Sequence, residues 1–530
     1  MQREQPTEVD PGEPTPSSAA EVVEACYRRV LEAEVYEVAR RTELTYAPLL
    51  SERLGNAIFL KREDQQPGFS FKCRGAYNRI VKLHRAGGRG GVLAASAGNH
   101  AQGVSLAAQK LGLRAVIVMP ETTPTIKVKA VAALGAEVVL HGDDFDAALE
   151  HARTLERAEG LTFIHPFDDP DTIAGQGTVA VELLDQFSGP IHALFSCVGG
   201  GGLAAGVGAY AKTVRPEVRQ IGVEAVDAAC MAAALRAGGP VDLEEVGLFA
   251  DGAAVRRAGE LTYRICAEVL DEVITVSVEE IAAAIKDVFI DTRTLIEPAG
   301  ALGLAGLKAY VAREGIRGET LVAVVSGANI NFDRLRHVVE LTEVGIHHEC
   351  LFAVTIPERP GSFLAFCEAL GKRAITEFNY RRSVGDQAQV FVGVKLREGP
   401  GESAELLREL EAQGYAVIEL TQDETARLHI RHTIGGRLPR GGVGEARERL
   451  FRFQFPERPG ALRQFLRTMP AGWDITLFHY RNHGAAFGRV LVGMTLPATT
   501  TPADLAAFAE RLGYPFSEET DSEVYARFLR

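Results

Sequence analysis

Three things are missing from this 530-residue sequence, and each absence closes off a class of function. Paired cysteines are the first. The seven that occur (Cys26, Cys73, Cys197, Cys230, Cys266, Cys350 and Cys367) are scattered, odd in number and never spaced Cys-x-x-Cys. That argues against a disulfide framework and a thiolate zinc site, and it points to a reducing, cytoplasmic setting. The second is a surplus of positive charge. With 57 Lys and Arg against 70 Asp and Glu, the net charge is -13, so a basic face for nucleic-acid phosphates is not expected. The third is a long apolar run: none approaches a membrane span, and no signal peptide is expected at the start. What remains, 46% hydrophobic and 24% charged, is the balance of a soluble globular protein. The length calls for two or more domains. Residues 1–19 are rich in Pro, Glu, Thr and Ser with little to bury, and they read as a disordered tail.

The stretch that organises the rest is KREDQQPGFSFKCRGAYN, residues 61–78. The apolar run 57–60 suits a buried strand, and Gln66, Pro67 and Gly68 break it with turn chemistry. Ala76, Ile80 and Leu83 then recur at helical spacing, which places Ser70 as an N-cap and Lys72 in the first turn. The positive end of the helix dipole disfavours an ammonium there. Such a lysine is pushed toward the neutral amine, the form that attacks carbonyls to make a Schiff base.

Further along, strands and helices alternate. Residues 22–38 are compatible with a helix; strands are predicted at 115–119, 137–140, 162–164 and 193–197, and helices at 124–134, 145–158 and 178–187. Alternation at that spacing gives a parallel sheet covered on both faces, an α/β fold. Two glycine-bearing turns stand out within it. GVLAASAGNHAQG, residues 91–103, reads as strand, sharp turn and helix start. Its Ser96, Ala97, Gly98, Asn99 and His100 turn points backbone N–H groups outward as a carboxylate cradle. VGGGGL, residues 198–203, follows a buried strand and opens an apolar helix. Without Cβ atoms, the amides of Gly199, Gly200, Gly201, Gly202 and Leu203 can close around a phosphate. The run is neither the spaced glycine fingerprint of dinucleotide folds nor a P-loop. Glu297 precedes another helix, and LVAVVSGAN, residues 321–329, is a buried strand ending at Ser326.

Together these strings resemble the pyridoxal-phosphate enzymes of the threonine and serine dehydratase group, whose pattern is Lys-Arg-Glu-Asp, a turn, then Ser-Phe-Lys-x-Arg-Gly-Ala. The resemblance implies a fold-type II catalytic domain of two parallel-sheet subdomains with pyridoxal 5'-phosphate on Lys72. It implies that Asn99 hydrogen-bonds the cofactor's 3'-oxygen, that the 199–203 run takes its phosphate, and that Ser326 faces the pyridine nitrogen. A hydroxyl there leaves that nitrogen largely unprotonated, which favours elimination over transamination. Lys72 and Ser326 are the implied catalytic residues, and the 96–100 turn binds the substrate carboxylate; Glu297 is a candidate beside them. Serine racemase-like relatives bind a divalent cation through a glutamate, a carbonyl four residues on and an acidic residue two beyond. Here Glu224 is followed by Ala228 and then Cys230, so no metal site is expected.

The C-terminal third repeats itself. FAVTIPERPGSFL at 352–364 recurs as FRFQFPERPGAL at 451–462, ITEFNYR at 375–381 as ITLFHYR at 475–481, and VGV at 392–394 as VGM at 492–494. Each copy reads as strand, Pro-Gly turn, helix, strand, strand, helix, a small α+β module. Pro360 and Gly361, with Arg359, set the turn. The pair resembles the tandem ACT-like regulatory domains of biosynthetic threonine dehydratases, which sense isoleucine and valine. Tyr380, Arg381, Tyr480 and Arg481, polar tips on apolar strands, are the candidate effector residues.

The resemblance thus implies a catalytic domain at 20–345 and ACT-like modules at 346–436 and 437–530. It implies elimination of L-threonine, with L-serine secondary, to the 2-oxo acid and ammonia, feedback by isoleucine, and a cytoplasmic homotetramer. Serine dehydratase or racemase chemistry shares the same core, and an amino-acid sensor with an inactive catalytic half is the alternative from another class.

Overall fold

The computed structural model describes residues 18–521 apart from 89, 144, 336–337, 340, 343–348, 360, 372, 382–385, 397–399, 422, 424–447, 457–459 and 482–486. The chain forms two compact units, Met1–Thr342 and Glu343–Arg530.

The first unit carries strands β1 (Leu44–Tyr46), β2 (Ala57–Arg62), β3 (Val92–Ala95), β4 (Ala115–Met119), β5 (Glu137–Leu140), β6 (Thr162–Phe163), β7 (Ala193–Cys197), β8 (Arg219–Ala225), β9 (Glu272–Val276) and β10 (Thr320–Val325). They sort into two sheets. One has the order β1-β2-β10-β7-β8-β9, parallel except for β1 at its edge; the other is the parallel β5-β4-β3-β6. The central strands are buried throughout, as continuous Val, Ile, Leu and Ala runs require when helices cover both faces. This is the two-subdomain, parallel-sheet architecture read from the sequence.

Three local readings change. The first helix is Ala19–Leu31 and does not reach residue 38; Val35, Val38 and Ala39 are buried as a packed loop against Cys73, Ala76 and Tyr77. Their burial, rather than helical periodicity, explains the apolar pattern. The helix predicted at 178–187 begins earlier, as Pro170–Gln186, because Asp169 accepts from the amides of Asp171 and Thr172 and Pro170 stands at the first helical position. Ser70 is not an N-cap: Phe71 precedes the helix Lys72–Arg85 without a side-chain cap, and Ser70 bridges to Gly327 beyond the end of β10.

The Lys72 helix crosses Pro170–Gln186 at glycine on both sides. A Cβ on Gly75 would lie 2.3 Å from Gln176 Nε2 and 2.5 Å from the Thr172 carbonyl oxygen, and one on Gly175 would lie 2.6 Å from Gly75 Cα. Beside this crossing runs a buried ion network. Arg74 bonds both oxygens of Glu63 (2.7 and 2.8 Å) and Glu182 Oε1 (2.6 Å), and Lys61 meets Glu182 Oε2 at 2.6 Å. All four side chains are fully buried, two of each sign. Burial on this scale requires that pairing be complete.

In the second unit each copy folds as strand, helix, strand, strand, helix, strand. The first has β11 (Glu349–Pro357), helix Ser362–Ala369, β12 (Ile375–Arg381), β13 (Gln387–Lys395), helix Pro400–Ala412 and β14 (Ala416–Glu419). The second has β15 (Glu448–Pro456), helix Ala461–Thr468, β16 (Asp474–Arg481), β17 (Phe487–Thr495), helix Pro502–Leu512 and β18 (Phe516–Glu518). The closing strands β14 and β18 were not expected; they are four and three residues long and only partly buried, too short for an alternating pattern. All eight strands form one antiparallel sheet, β14-β11-β13-β12-β16-β17-β15-β18, in which β12 pairs with β16. Gly361 and Gly460 precede the first helix of each copy at φ +88° and +89°, a conformation that L side chains rarely adopt.

Candidate active site

Lys72 is the first residue of its helix, and its Nζ donates to the Pro166 carbonyl at 2.8 Å. The side chain is half-buried, and desolvation of the amine lowers its pKa to about 8, against opposing pulls from Cys197 and Glu297. The depressed amine expected from the helix dipole is present, but desolvation is its leading cause. Two imidazoles lie within electrostatic reach. Burial and the Lys72 charge hold His100 at about 3, and burial, Arg153 and Lys72 do the same for His165, so both rings are neutral.

The turn 96–100 follows β3. Ser96, Ala97 and Gly98 are half-buried, and Ser96 Oγ accepts from the Gly98 amide at 3.2 Å. Asn99 and His100 open the helix Asn99–Leu111 and are buried. His100 Nε2 faces the Ile164 carbonyl at 2.8 Å. A carbonyl only accepts, so Nε2 carries the proton and Nδ1 is a lone pair. That Nδ1 is buried with no partner.

Asn99 Nδ2 donates to Glu297 Oε1 at 2.6 Å, and Asn99 Oδ1 accepts from Asn329 Nδ2 at 2.6 Å. Glu297 stands immediately before the helix Pro298–Glu314 but makes no side-chain cap; burial raises its carboxyl to about 7, with the Asn99 bond pulling the other way. Ser326, just past β10, is buried; its Oγ donates to the Ala299 carbonyl at 3.2 Å, and its own carbonyl accepts from the Phe71 amide at 3.2 Å. Cys197 at the end of β7 shares a hydrogen bond with Ser326, and burial raises its thiol to about 11. The strand end bearing Ser326 and the segment bearing Lys72 are therefore in direct contact.

Gly199 to Gly202 follow β7 and lead into the helix Gly202–Val214. Their outer side is filled. A Cβ on Gly200 would meet the Phe167 ring at 2.3 Å, one on Gly201 the Met231 Cε at 2.6 Å, and Gly201 has φ +98°. The Gly200 carbonyl accepts from Thr262 Oγ1 at 2.6 Å. The amides of Gly199 through Gly202 donate to no partner among the described residues. A ring of unengaged amides at a helix N-terminus is a seat for a doubly charged phosphate. With the depressed amine of Lys72 and the unpartnered His100 nitrogen, this chemistry fits pyridoxal phosphate.

Asn329, His165, Pro166 and Cys197 take part in the site without any sequence signal that singled them out; Asn329 ends the 321–329 run but has no motif of its own. Glu224 has another use: its two oxygens accept from the amides of Met231 and Ala232, both at 2.8 Å, at the start of helix Cys230–Ala237.

In the second unit, Tyr380 is buried and its hydroxyl donates to Glu358 Oε1 at 2.7 Å. It lines a cavity of about 110 Å³ with Glu358, Arg359 and Phe363 of the first copy and Leu466 and Trp473 of the second. Tyr480 is buried opposite Phe378 and does not line that cavity. The side chains of Arg381 and Arg481 lie outside the described residues.

Comparison with known proteins gives two family matches: residues 35–327 match the pyridoxal-phosphate dependent enzymes, and residues 340–430 and 439–529 match the C-terminal regulatory domain of threonine dehydratase. The chain is 53% identical over 505 residues to the biosynthetic L-threonine dehydratase IlvA of Burkholderia multivorans, covering 95% of this chain and 98% of that one. It is 50% identical over 502 residues to IlvA of Escherichia coli, covering 95% and 96%. Among solved structures, the processed threonine deaminase isoform 2 of Solanum lycopersicum superposes with a TM-score of 0.60 at 47% identity, over 63% of this chain and 99% of that one.

Proposed function

Because the chain belongs to the pyridoxal-phosphate-dependent threonine dehydratase family, we propose that it eliminates water from L-threonine to give 2-oxobutanoate and ammonia, the first step of isoleucine biosynthesis, under feedback by isoleucine. The observation that carries this reading is the Lys72 amine on the Pro166 carbonyl, next to the Phe167 ring that backs the glycine cup, with the adjacent Phe71 amide bonded to the Ser326 carbonyl.

Lys72 would anchor the cofactor, and its amine, with a pKa near 8, is close to neutral pH and suited to take the Cα proton as a general base. Amides of the Ser96 to His100 turn hold the substrate carboxylate. Amides of Gly199 to Leu203 would hold the cofactor phosphate, Asn99 its ring oxygen, and Ser326, by turning its hydroxyl from the Ala299 carbonyl, its ring nitrogen without delivering a full proton. Pyridoxal phosphate, when bound, supplies the electron sink that stabilises negative charge at Cα. The neutral His100 and His165 add no positive charge beside Lys72, which keeps the amine basic only to the extent that burial allows. L-Serine, which lacks only a methyl group, is the secondary substrate, since one methyl discriminates weakly.

The effector site is placed in the cavity beside Tyr380. Ile356, Phe363, Leu466 and Trp473 offer apolar wall, and Glu358, Arg359 and Asp474 offer both signs of charge, a combination suited to a zwitterion with an aliphatic side chain. Isoleucine raises the threonine concentration needed for half-maximal rate, and valine opposes it. The setting is the cytosol and the assembly a homotetramer. Among the described residues no helix is long and apolar enough to cross a membrane. A keto-acid assay on threonine and serine, with and without isoleucine and valine, tests the reading; no 2-oxobutanoate from threonine would end it.

A further inference from the structure

Asn99 can hold a ring oxygen only if its amide presents N–H rather than C=O, and an amide is nearly symmetric in shape. Something must choose between the two orientations. The structure contains two neighbours able to do so. Glu297 Oε1 lies 2.6 Å from Asn99 Nδ2 and, whenever its carboxyl is ionised, can only accept, so it then requires the nitrogen side. Asn329 Nδ2 lies 2.6 Å from Asn99 Oδ1 and requires the oxygen side. Asn329 is an amide too, but it is oriented in turn by the Gly68 carbonyl, which accepts from the same Nδ2 at 2.9 Å. The chain of choices thus ends at one side on a backbone carbonyl, which has no second option, and at the other on Glu297, which accepts through Oε1.

The frame is rigid as well as directional. Glu297 is held by its own amide, which donates to the Gly327 carbonyl at 3.2 Å, and a Cβ on Gly327 would sit 2.2 Å from Glu297 Oε1. Gly252 borders the pair on another side, where a Cβ would stand in ordinary contact at 3.5 Å from Asn99 Nδ2 and 3.8 Å from Glu297 Oε1. One Asn99 N–H is spent on Glu297; the second is left.

We propose that Glu297 and Asn329 are positioning residues that lock the Asn99 amide so that its remaining N–H is presented to the cofactor. The proposal rests on the reading of Asn99 as the partner of the ring oxygen. Removing either neighbour leaves a single contact to hold the orientation, and replacing Asn329 by an acceptor sets an acceptor against Asn99 Oδ1 and favours the flip.

The test follows cofactor retention by the full-length holoenzyme, read as the decay of its visible absorbance on dilution, with thermal midpoints measured in parallel. Asn99→Ala, Asn329→Asp and Glu297→Ala are each expected to release the cofactor at least about tenfold faster, the size of one lost hydrogen bond. Glu297→Gln retains an acceptor and is expected to change release less than about threefold. The double variant Asn99→Asp, Glu297→Gln reverses the pair: the amide introduced at position 297 donates, and the carboxylate introduced at position 99 accepts from it and from Asn329. Packing and bonding are then satisfied but no N–H remains, so its thermal midpoint returns toward that of the unaltered enzyme while the cofactor is lost as fast as in Asn99→Ala. Wild-type retention in that double variant overturns the proposal. So does fast release in Asn99→Ala combined with unchanged release in both Asn329→Asp and Glu297→Ala, a result that spares the reading of Asn99. Unchanged release in Asn99→Ala removes that reading and the proposal with it. Should Asn329→Asp show no cooperative melting, Asn329→Ala, which removes the donor without adding charge, takes its place under the same criteria.

Discussion

Around the helix that carries Lys72, the catalytic unit buries Lys61, Glu63, Arg74 and Glu182 with no exposure at all. The core of the regulatory unit is built of rings instead: Phe453 alone packs against Phe455, Phe465, Phe508 and Phe516, and Phe378 against Phe363, Phe366 and Phe478 across the two copies. The two solutions differ in kind. In the ion network each donor has a matched acceptor, and a small displacement leaves charge unpaired in a medium that cannot solvate it. The unit therefore has one good arrangement, and Lys72, two residues from Arg74, inherits it. Ring-on-ring contacts are weakly directional and worth about 0.5–1.5 kcal/mol apiece beyond area, so neighbouring arrangements differ little in energy. A sheet shared by two copies and packed that way can be biased by a small ligand, which is what an effector needs, since it acts only through a difference in affinity between states.

The sharpest way to break this comparison is at Lys72 itself. Lys72→Ala is expected to fold but to lose turnover by on the order of 10³-fold or more, because anchor and base go together. Ammonia release from threonine measures it. The regulatory half should behave oppositely: deleting residues 343–530 is expected to leave turnover in place and abolish a response to isoleucine that, at a coupling of about 1–3 kcal/mol, amounts to roughly 5- to 150-fold in apparent threonine affinity. A truncated chain that still answers to isoleucine would place the effector site in the catalytic unit.

The cores can be compared directly by denaturant unfolding. Arg74→Met strands Glu63 as a buried anion and leaves Glu182 paired with Lys61 alone, and a loss of about 3–5 kcal/mol is expected in the catalytic transition. Phe453→Leu keeps an apolar group of similar size in the regulatory core and is expected to cost under about 1.5 kcal/mol. Equal losses would contradict the contrast drawn above. Within the regulatory unit, Tyr380→Ala removes a cavity-lining ring and its bond to Glu358, whereas Tyr480 lies away from that cavity. Half-maximal isoleucine concentrations should rise several-fold for Tyr380→Ala, by about the value of one hydrogen bond, and stay near the original for Tyr480→Ala. The smallest effect concerns protonation. The rate at which cofactor-free enzyme captures an aldehyde should rise with pH through an inflection near 8, where Lys72 loses its proton, rather than near the ordinary lysine value of 10.5.

The sequence made the catalytic unit legible because its strands are continuous apolar runs and its turns are punctuated by glycine. Boundaries at β5 and β7 coincide with those runs, and the turns at 96–100 and 199–202 follow β3 and β7. What it concealed depends on partners far along the chain. Asn329 acquires meaning only because Gly68 and Asn99 lie beside it, 261 and 230 residues away. The depressed Lys72 was expected for a local reason, the helix dipole, and is caused chiefly by burial, which no local pattern reports. Tyr380 and Tyr480 occupy equivalent places in the repeat, yet only the first borders the cavity formed between the copies, a distinction that symmetry of sequence hides.

Initial rates of 2-oxobutanoate formation by the full-length enzyme across a threonine series, at several fixed isoleucine concentrations, test the site and its regulation most directly. The result expected is a threonine half-saturation that climbs with isoleucine while the limiting rate is reached again at high threonine. Keto acid formed at a rate indifferent to isoleucine over a wide range would contradict regulation from the second unit, and no keto acid at all would contradict the site.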